Sequence, residues 1–203
     1  MKKLSLLATM LCCAAALFFT SCKDAADGNE MSNDEVQRVF NEMQGTYTGV
    51  LYTSRDTTKH YLQCEIDSLI KIQNFPDALL EQATSNKTLR QILYNTDATR
   101  ELWMPIKFGG WYDSQKSVTY FYLFPESIIK ENLILDDTNR KVTFAFYSGI
   151  DSPGLFNRSN RSIHLEFTVG GVFFDDELQY NSTLRTTFYF DGSRISHHTS
   201  SNL

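Results

Sequence analysis

The chain predicts a mainly β domain: an antiparallel meander that closes as a barrel or folds into a two-layer sandwich, with a short N-terminal helix and a small helical insert. Three observations predict it. Apolar and polar residues alternate in run after run beyond Gly45, the pattern of strands buried on one face. Turn-forming clusters separate the runs at short intervals, which favours antiparallel neighbours. Phe and Tyr are abundant, 15 and 10 in 203 residues, and suit a pleated, half-buried surface. An open meander leaves sheet edges to be managed, and closure is one way to do so.

The N-terminal segment comes first. Lys2 and Lys3 precede an apolar run over residues 4–19, long enough for a secretory signal and short for a membrane-spanning helix. The run ends in Leu17-Phe18-Phe19-Thr20-Ser21-Cys22, which resembles a bacterial lipobox. That resemblance implies that residues 1–21 are a lipoprotein signal peptide and that Cys22 carries palmitate-like acyl chains. The partner is then a membrane, held through the lipid on Cys22, and the place is the cell envelope. The outer membrane is the expected site, with the domain facing the periplasm or the surface. Lys23-Asp24-Ala25-Ala26-Asp27 partly resembles a surface-export signal of Bacteroidetes lipoproteins. Residues 22–32 form the lipidated Cys and a polar, flexible tether.

Residues 33–195 are expected to be a single β-rich domain. Ser32 and Glu35 fit a capping box, and Val36, Val39, Phe40 and Met43 recur at helical spacing. Gly45 is placed to end that helix. The first strand covers residues 46–54, with Tyr47, Gly49, Leu51 and Thr53 on one face and Thr48, Val50 and Tyr52 on the other. Residues 60–74 hold one or two more strands. Pro76 then suits the first turn of a helix. Leu79, Leu80 and Ala83, then Leu89, Ile92 and Leu93, give two short apolar faces, a small helical insert. Further strands are expected at residues 103–108, 117–124, 128–135, 141–147, 163–174 and 184–190. Gly109-Gly110, Asp113-Ser114, residues 136–139, Ser152-Pro153-Gly154 and Asp191-Gly192 read as turns between them. Gly170-Gly171 falls inside a strand and suggests a bulge. Residues 196–203 read as a disordered tail.

Composition narrows the function. The net charge is −5, and removing Lys2 and Lys3 makes it more negative, so nucleic acid and anionic lipid surfaces are poor partners. Of the 4 cysteines, Cys12 and Cys13 leave with the signal and Cys22 takes lipid. Cys64 remains, flanked by Leu62 and Ile66 in a strand pattern, and reads as a buried small hydrophobe. Asp136-Asp137 and Asp175-Asp176-Glu177 could in principle bind calcium or supply glycosidase acids. Their neighbours have hairpin composition, so solvated turns are the better reading. His60, His164, His197 and His198 show no metal-ligand spacing. No nucleophile elbow, phosphate loop or dinucleotide fingerprint is present, so no catalytic residue, metal or cofactor is assigned.

Aromatic side chains offer the best binding candidates. Trp111 and Tyr112, between Gly109-Gly110 and a turn, are expected on an exposed loop, and Trp103 could join them in a stacking surface. Asp56-Thr57-Thr58 and Asp67-Ser68-Leu69 resemble a Bacteroidetes O-glycosylation acceptor, which would make Thr57 and Ser68 the acceptors.

Gly45-Thr46-Tyr47-Thr48-Gly49 is similar to the G-x-W opening of calycin-type barrels, with Tyr47 in place of Trp. That opening, the signal ending in Cys22-Lys23-Asp24, and Ile70-Lys71-Ile72-Gln73-Asn74-Phe75-Pro76 together resemble Bacteroidetes lipoproteins carrying the domain of unknown function numbered 4840. The resemblance implies lipid attachment and brings no catalytic residues. The expectation is a non-enzymatic binding module for a small ligand, glycan or protein, met at Trp111–Tyr112 or at the barrel mouth. A structural subunit of a surface complex, and a hydrolase built from scattered carboxylates, are the other two readings.

Overall fold

Ser32 opens α1 (Asn33–Met43): its hydroxyl accepts from the Glu35 N–H, and its own N–H donates to the Glu35 carboxylate at 2.9 Å. This is the capping box the sequence spells. Val39 and Met43, four residues apart, enter the core. The far end is closed by tertiary groups. The Tyr47 hydroxyl donates to the Met43 carbonyl at 2.6 Å, and Arg194 donates to the Glu42 carbonyl at 3.2 Å. Both satisfy carbonyls that a helix C-terminus leaves open. Burial pushes the Tyr47 phenol up to about 12, so it stays a donor.

The computed structural model describes residues 31–113 and 117–195. The strands are β1 (Gly45–Thr53), β2 (His60–Ile66), β3 (Ile70–Pro76), β4 (Thr99–Met104), β5 (Ile106–Asp113), β6 (Val118–Leu123), β7 (Ile128–Leu135), β8 (Thr138–Phe146), β9 (Gly149–Asn157), β10 (Ser162–Phe174), β11 (Glu177–Leu178) and β12 (Thr186–Arg194). Between β3 and β4 lie a 3-10 helix (Asp77–Ala83) and α2 (Lys87–Tyr94), whose N-cap Asn86 accepts from the Leu89 N–H at 2.9 Å. All the strands belong to one antiparallel sheet in the order β4-β3-β2-β1-β12-β10-β9-β6-β5, and β8 and then β7 extend from the second half of β10. The sheet curls into a nearly closed barrel.

β10 is where the sheet divides. Its first residues, Ser162–Leu165, pair with β9, and beyond Val169 it pairs with β8. A register shift between Val169 and Gly171 marks the change, at the Gly170-Gly171 bulge the sequence suggests. A Cβ on Gly170 would lie 2.7 Å from the Tyr147 ring, so the bulge needs glycine for that close approach.

The remaining seam lies beside β4. One main-chain bond crosses it, from the Glu126 N–H in the β6–β7 link to the Trp103 carbonyl of β4 at 3.0 Å. Asp77 completes the closure. Its carboxylate is 1% exposed; it accepts from Arg100 of β4 at 2.5 and 3.0 Å and from Lys130 of β7. Burial pushes the Asp77 carboxyl up, but the bonds from Arg100 and Lys130 outweigh it and hold the carboxyl below the ordinary range.

Aromatic side chains pack into the barrel interior. Phe121, Phe144, Phe167, Phe188 and Phe190 are fully buried, and Phe167 stacks on Phe188 with centroids 5.4 Å apart. α1 covers the end where β1 begins. The 3-10 helix and α2 cover the opposite end, where β3 stops, through Leu79, Leu80, Ala83, Leu89 and Leu93. Cys64 is buried in this core, and burial pushes its thiol up, which suits an inert packing residue.

Several expected turns are strand. Gly109-Gly110 lies within β5, and the expected strand at 103–108 is two, broken at Pro105. Ser152-Pro153-Gly154 lies within β9, an element the sequence reading lacks. A Cβ on Gly154 would stand 2.1 Å from the Phe121 ring, so this glycine is a slot for a neighbour's side chain. Pro153 sits just past the last β10 pair and opposite Tyr122 of β6, next to an irregularity in that ladder. Asp191-Gly192 continues β12, because Gly192 faces Gly49 and lets the backbones approach. Pro76 ends β3 and caps the 3-10 helix, outside any α-helical first turn. Asp136-Asp137 and Asp175-Asp176 are two-residue hairpin turns with positive φ at both positions, as their composition suggests.

Replacing Asp77 with Ala leaves Arg100 and Lys130 without their counter-ion and is expected to cost about 3–5 kcal/mol, read as a lower urea midpoint. Because the folded-state pKa of Asp77 is depressed, its contribution is complete above the unfolded value of about 4 and is lost as pH falls through the folded value. The gap in urea midpoint between wild type and Asp77→Asn is therefore expected to narrow below about pH 4; a gap constant to pH 2 contradicts the clasp. Tyr47→Phe strands the buried Met43 carbonyl and is expected to cost about 1–3 kcal/mol in the same assay.

Candidate functional site

Period-two alternation sends one residue set of each strand into the core and the other onto the outer wall. On β1, Tyr47 and Leu51 go in, while Thr48, Val50 and Tyr52 go out. Register then fixes which outward residues meet. One row crosses β2, β1, β12 and β10 as Tyr61, Val50, Asp191 and His164. The next row brings Tyr52, Tyr189 and Glu166 together. A third brings Gln63, Thr48, Ser193 and Ser162 together.

Asp191 organises part of this wall. Its two carboxylate oxygens accept from Tyr52, at 3.0 Å, and from His164 Nδ1, at 2.7 Å. Since a carboxylate only accepts, Nδ1 carries the proton in this pair. The Tyr52 and Tyr189 rings stack with centroids 5.2 Å apart, and His164 continues the stack at 6.2 Å. Partial burial and then the Asp191 carboxylate raise the Tyr52 phenol above its ordinary value.

Beside this wall is an open groove of about 650 Å³, lined by Thr48, Val50, Tyr61, Gln63 and Asn74 together with the backbone of Gly49 and Leu62. Its origin is a core residue. β2 and β3 pair from Gln63–Gln73 to Ile66–Ile70 and no further. Past Gln73, Asn74 takes a φ of 56° and a bulge falls between Ile72 and Phe75. The bulge turns Phe75 inward, fully buried, with its ring 5.5 Å from Phe188. β3 therefore peels away from β2, and Tyr61 and Leu62 lack a ladder partner on that side. Tyr61 stands 81% exposed at the lip.

The expected site residues are dispersed. Trp103 sits on β4, 41% exposed, with its indole N–H donating to Glu101 at 2.9 Å. Trp111 and Tyr112 are in β5, not on a loop; their side chains lie outside the described residues, as do residues 1–30, with Cys22, and His197-His198. Thr57 and Ser68 are exposed in the β1–β2 and β2–β3 links. Asp56 accepts from Thr58, while Asp67 accepts from the Ser68 hydroxyl at 3.0 Å. The carboxylates of Asp175 and Asp176 are engaged by Arg140 and Lys141. Tyr61, Gln63, Asn74, Tyr189 and Asp191 were missed. The outward set of β1 was readable, but β12 was cut short at Asp191-Gly192, and nothing local marks where β3 leaves β2.

Among the described residues, no group of three or more His, Cys, Asp or Glu side chains is arranged to hold a metal ion, and no helix is long and apolar enough to cross a membrane. The wall offers aromatic rings, amides, hydroxyls and an oriented Asp–His pair: an apparatus for contact and hydrogen bonding.

No curated protein and no solved structure matches the chain. A family model does match it, over residues 42–174, from the last turn of α1 to the end of β10. The chain belongs to the family described as Domain of unknown function (DUF4840).

Proposed function

We propose that this is a lipid-anchored protein of the cell envelope whose barrel is a non-enzymatic binding module, and that its ligand meets the outer wall of β2, β1, β12 and β10. One observation carries the reading: an open groove with an exposed tyrosine lies on the outer wall, while the inward aromatic side chains are buried in the core. A ligand at the barrel mouth would have to displace α1 or the 3-10 helix from the core. Lipid on Cys22 and a polar tether after it would hold the wall clear of the membrane. A second reading, a subunit of a surface assembly, draws on β7, which among the described residues pairs only with β8 and exposes Ile129 and Ile134.

Mass spectrometry of the protein from native envelopes is expected to find Cys22 as an acylated first residue; an intact Met1 sinks the anchoring. A panel of glycans, phospholipid vesicles and peptides is expected to yield a ligand for the wild-type chain. Val50→Arg, which sets a long cation between the groove and Asp191, is expected to weaken it about tenfold or more, near 1.4 kcal/mol, with the thermal midpoint unchanged. Binding indifferent to Val50→Arg would place the ligand elsewhere and overturn the outer-wall reading.

A further inference from the structure

Resting on that outer-wall reading, we infer that the groove beside Tyr61 takes a neutral, hydroxyl-rich saccharide. Among the described residues, its lining carries no formal charge. What the lining does carry is an aromatic ring, two amides and a hydroxyl. Tyr61 offers a ring that is 81% exposed, a flat apolar surface for the C–H face of a sugar. Gln63 and Asn74 each bring donors and acceptors, and Thr48 brings a hydroxyl that does both. Sugar hydroxyls also donate and accept, so they can pair with this mixture group for group. The stretch of β2 that has lost its β3 partner adds main-chain groups on the same side.

Other occupants fit less well. An acyl chain would cover Gln63, Asn74 and Thr48 and leave their polar atoms without partners, each at a cost. An anionic ligand would approach a chain of net charge −5 and meet the carboxylates of Asp191 and Glu166 on the adjoining strands. A cation finds no carboxylate in the groove, and both oxygens of Asp191 are engaged by Tyr52 and His164. The size is also right, since about 650 Å³ falls inside the span of about 300–1,000 Å³ typical of small-molecule sites.

The test uses the full chain against neutral oligosaccharides, acidic oligosaccharides, phosphatidylcholine vesicles, and acidic and basic peptides. Tyr61→Ala, Tyr61→Trp and Gln63→Ala change exposed side chains; Tyr94→Ala, 75% exposed on α2, is the control. The expected result is binding of neutral saccharides, weakened at least about tenfold by Tyr61→Ala and several-fold by Gln63→Ala, kept by Tyr61→Trp, and untouched by Tyr94→Ala. Tyr61-dependent binding confined to vesicles, peptides or acidic glycans overturns the saccharide assignment and leaves the outer-wall reading standing. The absence of Tyr61-dependent binding in every class overturns the groove and its saccharide together. If Val50→Arg still abolishes a hit in that last case, the ligand lies on the Asp191 side and the outer-wall reading survives.

Discussion

One main-chain hydrogen bond ties β4 to the β6–β7 link, and one buried carboxylate, Asp77, ties β4 to β7; closure there rests on that carboxylate keeping its cations. Everywhere else the barrel is held by ladders, in which neighbouring bonds support one another. At the seam Asp77 substitutes for the ladder. It hangs from the start of the 3-10 helix and reaches Arg100 on β4 and Lys130 on β7, elements that are distant in sequence. A buried carboxylate is tolerated only when paired. The Asp77 N–H also donates to the Ala98 carbonyl at 3.0 Å, which fixes the residue's backbone as well as its side chain. Seam, helix start and α2–β4 link are thereby one unit.

The same core that the seam encloses also shapes the outer wall. Phe75 must reach Phe188, and a regular β3 cannot deliver it without the extra residue at Asn74. The bulge satisfies packing inside and opens the groove outside. A substitution that relaxed the Phe75–Phe188 contact would let β3 re-pair with β2 and close the groove, although neither ring touches its lining. The groove is thus a by-product of interior packing, read out through one positive-φ asparagine.

Much of the fold was legible. The Ser32–Glu35 box, the two faces of β1, the burial of Cys64, the Gly170-Gly171 bulge and the paired-Asp turns all follow from local chemistry and were found where the sequence put them. The failures share a cause. Gly109-Gly110, Pro153-Gly154 and Gly192 look like chain reversals when only their neighbours in sequence are visible. Gly154 is small because Phe121, thirty-three positions earlier, needs its space, and Gly49 is small because the backbone of Asp191 and Gly192 lies against it. A glycine that serves a neighbouring strand carries no local mark to distinguish it from one that serves a turn. The wall was illegible for a related reason: Asp191, His164 and Tyr52 belong to three strands, and only the register of β1, β12 and β10 makes them one cluster.

A barrel that binds inside itself must leave part of its lumen unpacked, and unpacked volume weakens a core by the contacts it forgoes. Here the inward residues, phenylalanines prominent among them, are buried in the core, and the inward register is committed to stability. The outward register is free of that duty: Tyr61, Gln63 and Thr48 can change without opening a cavity. Period two keeps the two duties apart residue by residue, because sliding β12 by one position would bury Asp191 and expose Phe190. Stability therefore guards the outer wall indirectly. The core fixes register, register fixes which outward side chains meet, and the wall's side chains can vary within a frame they do not have to support.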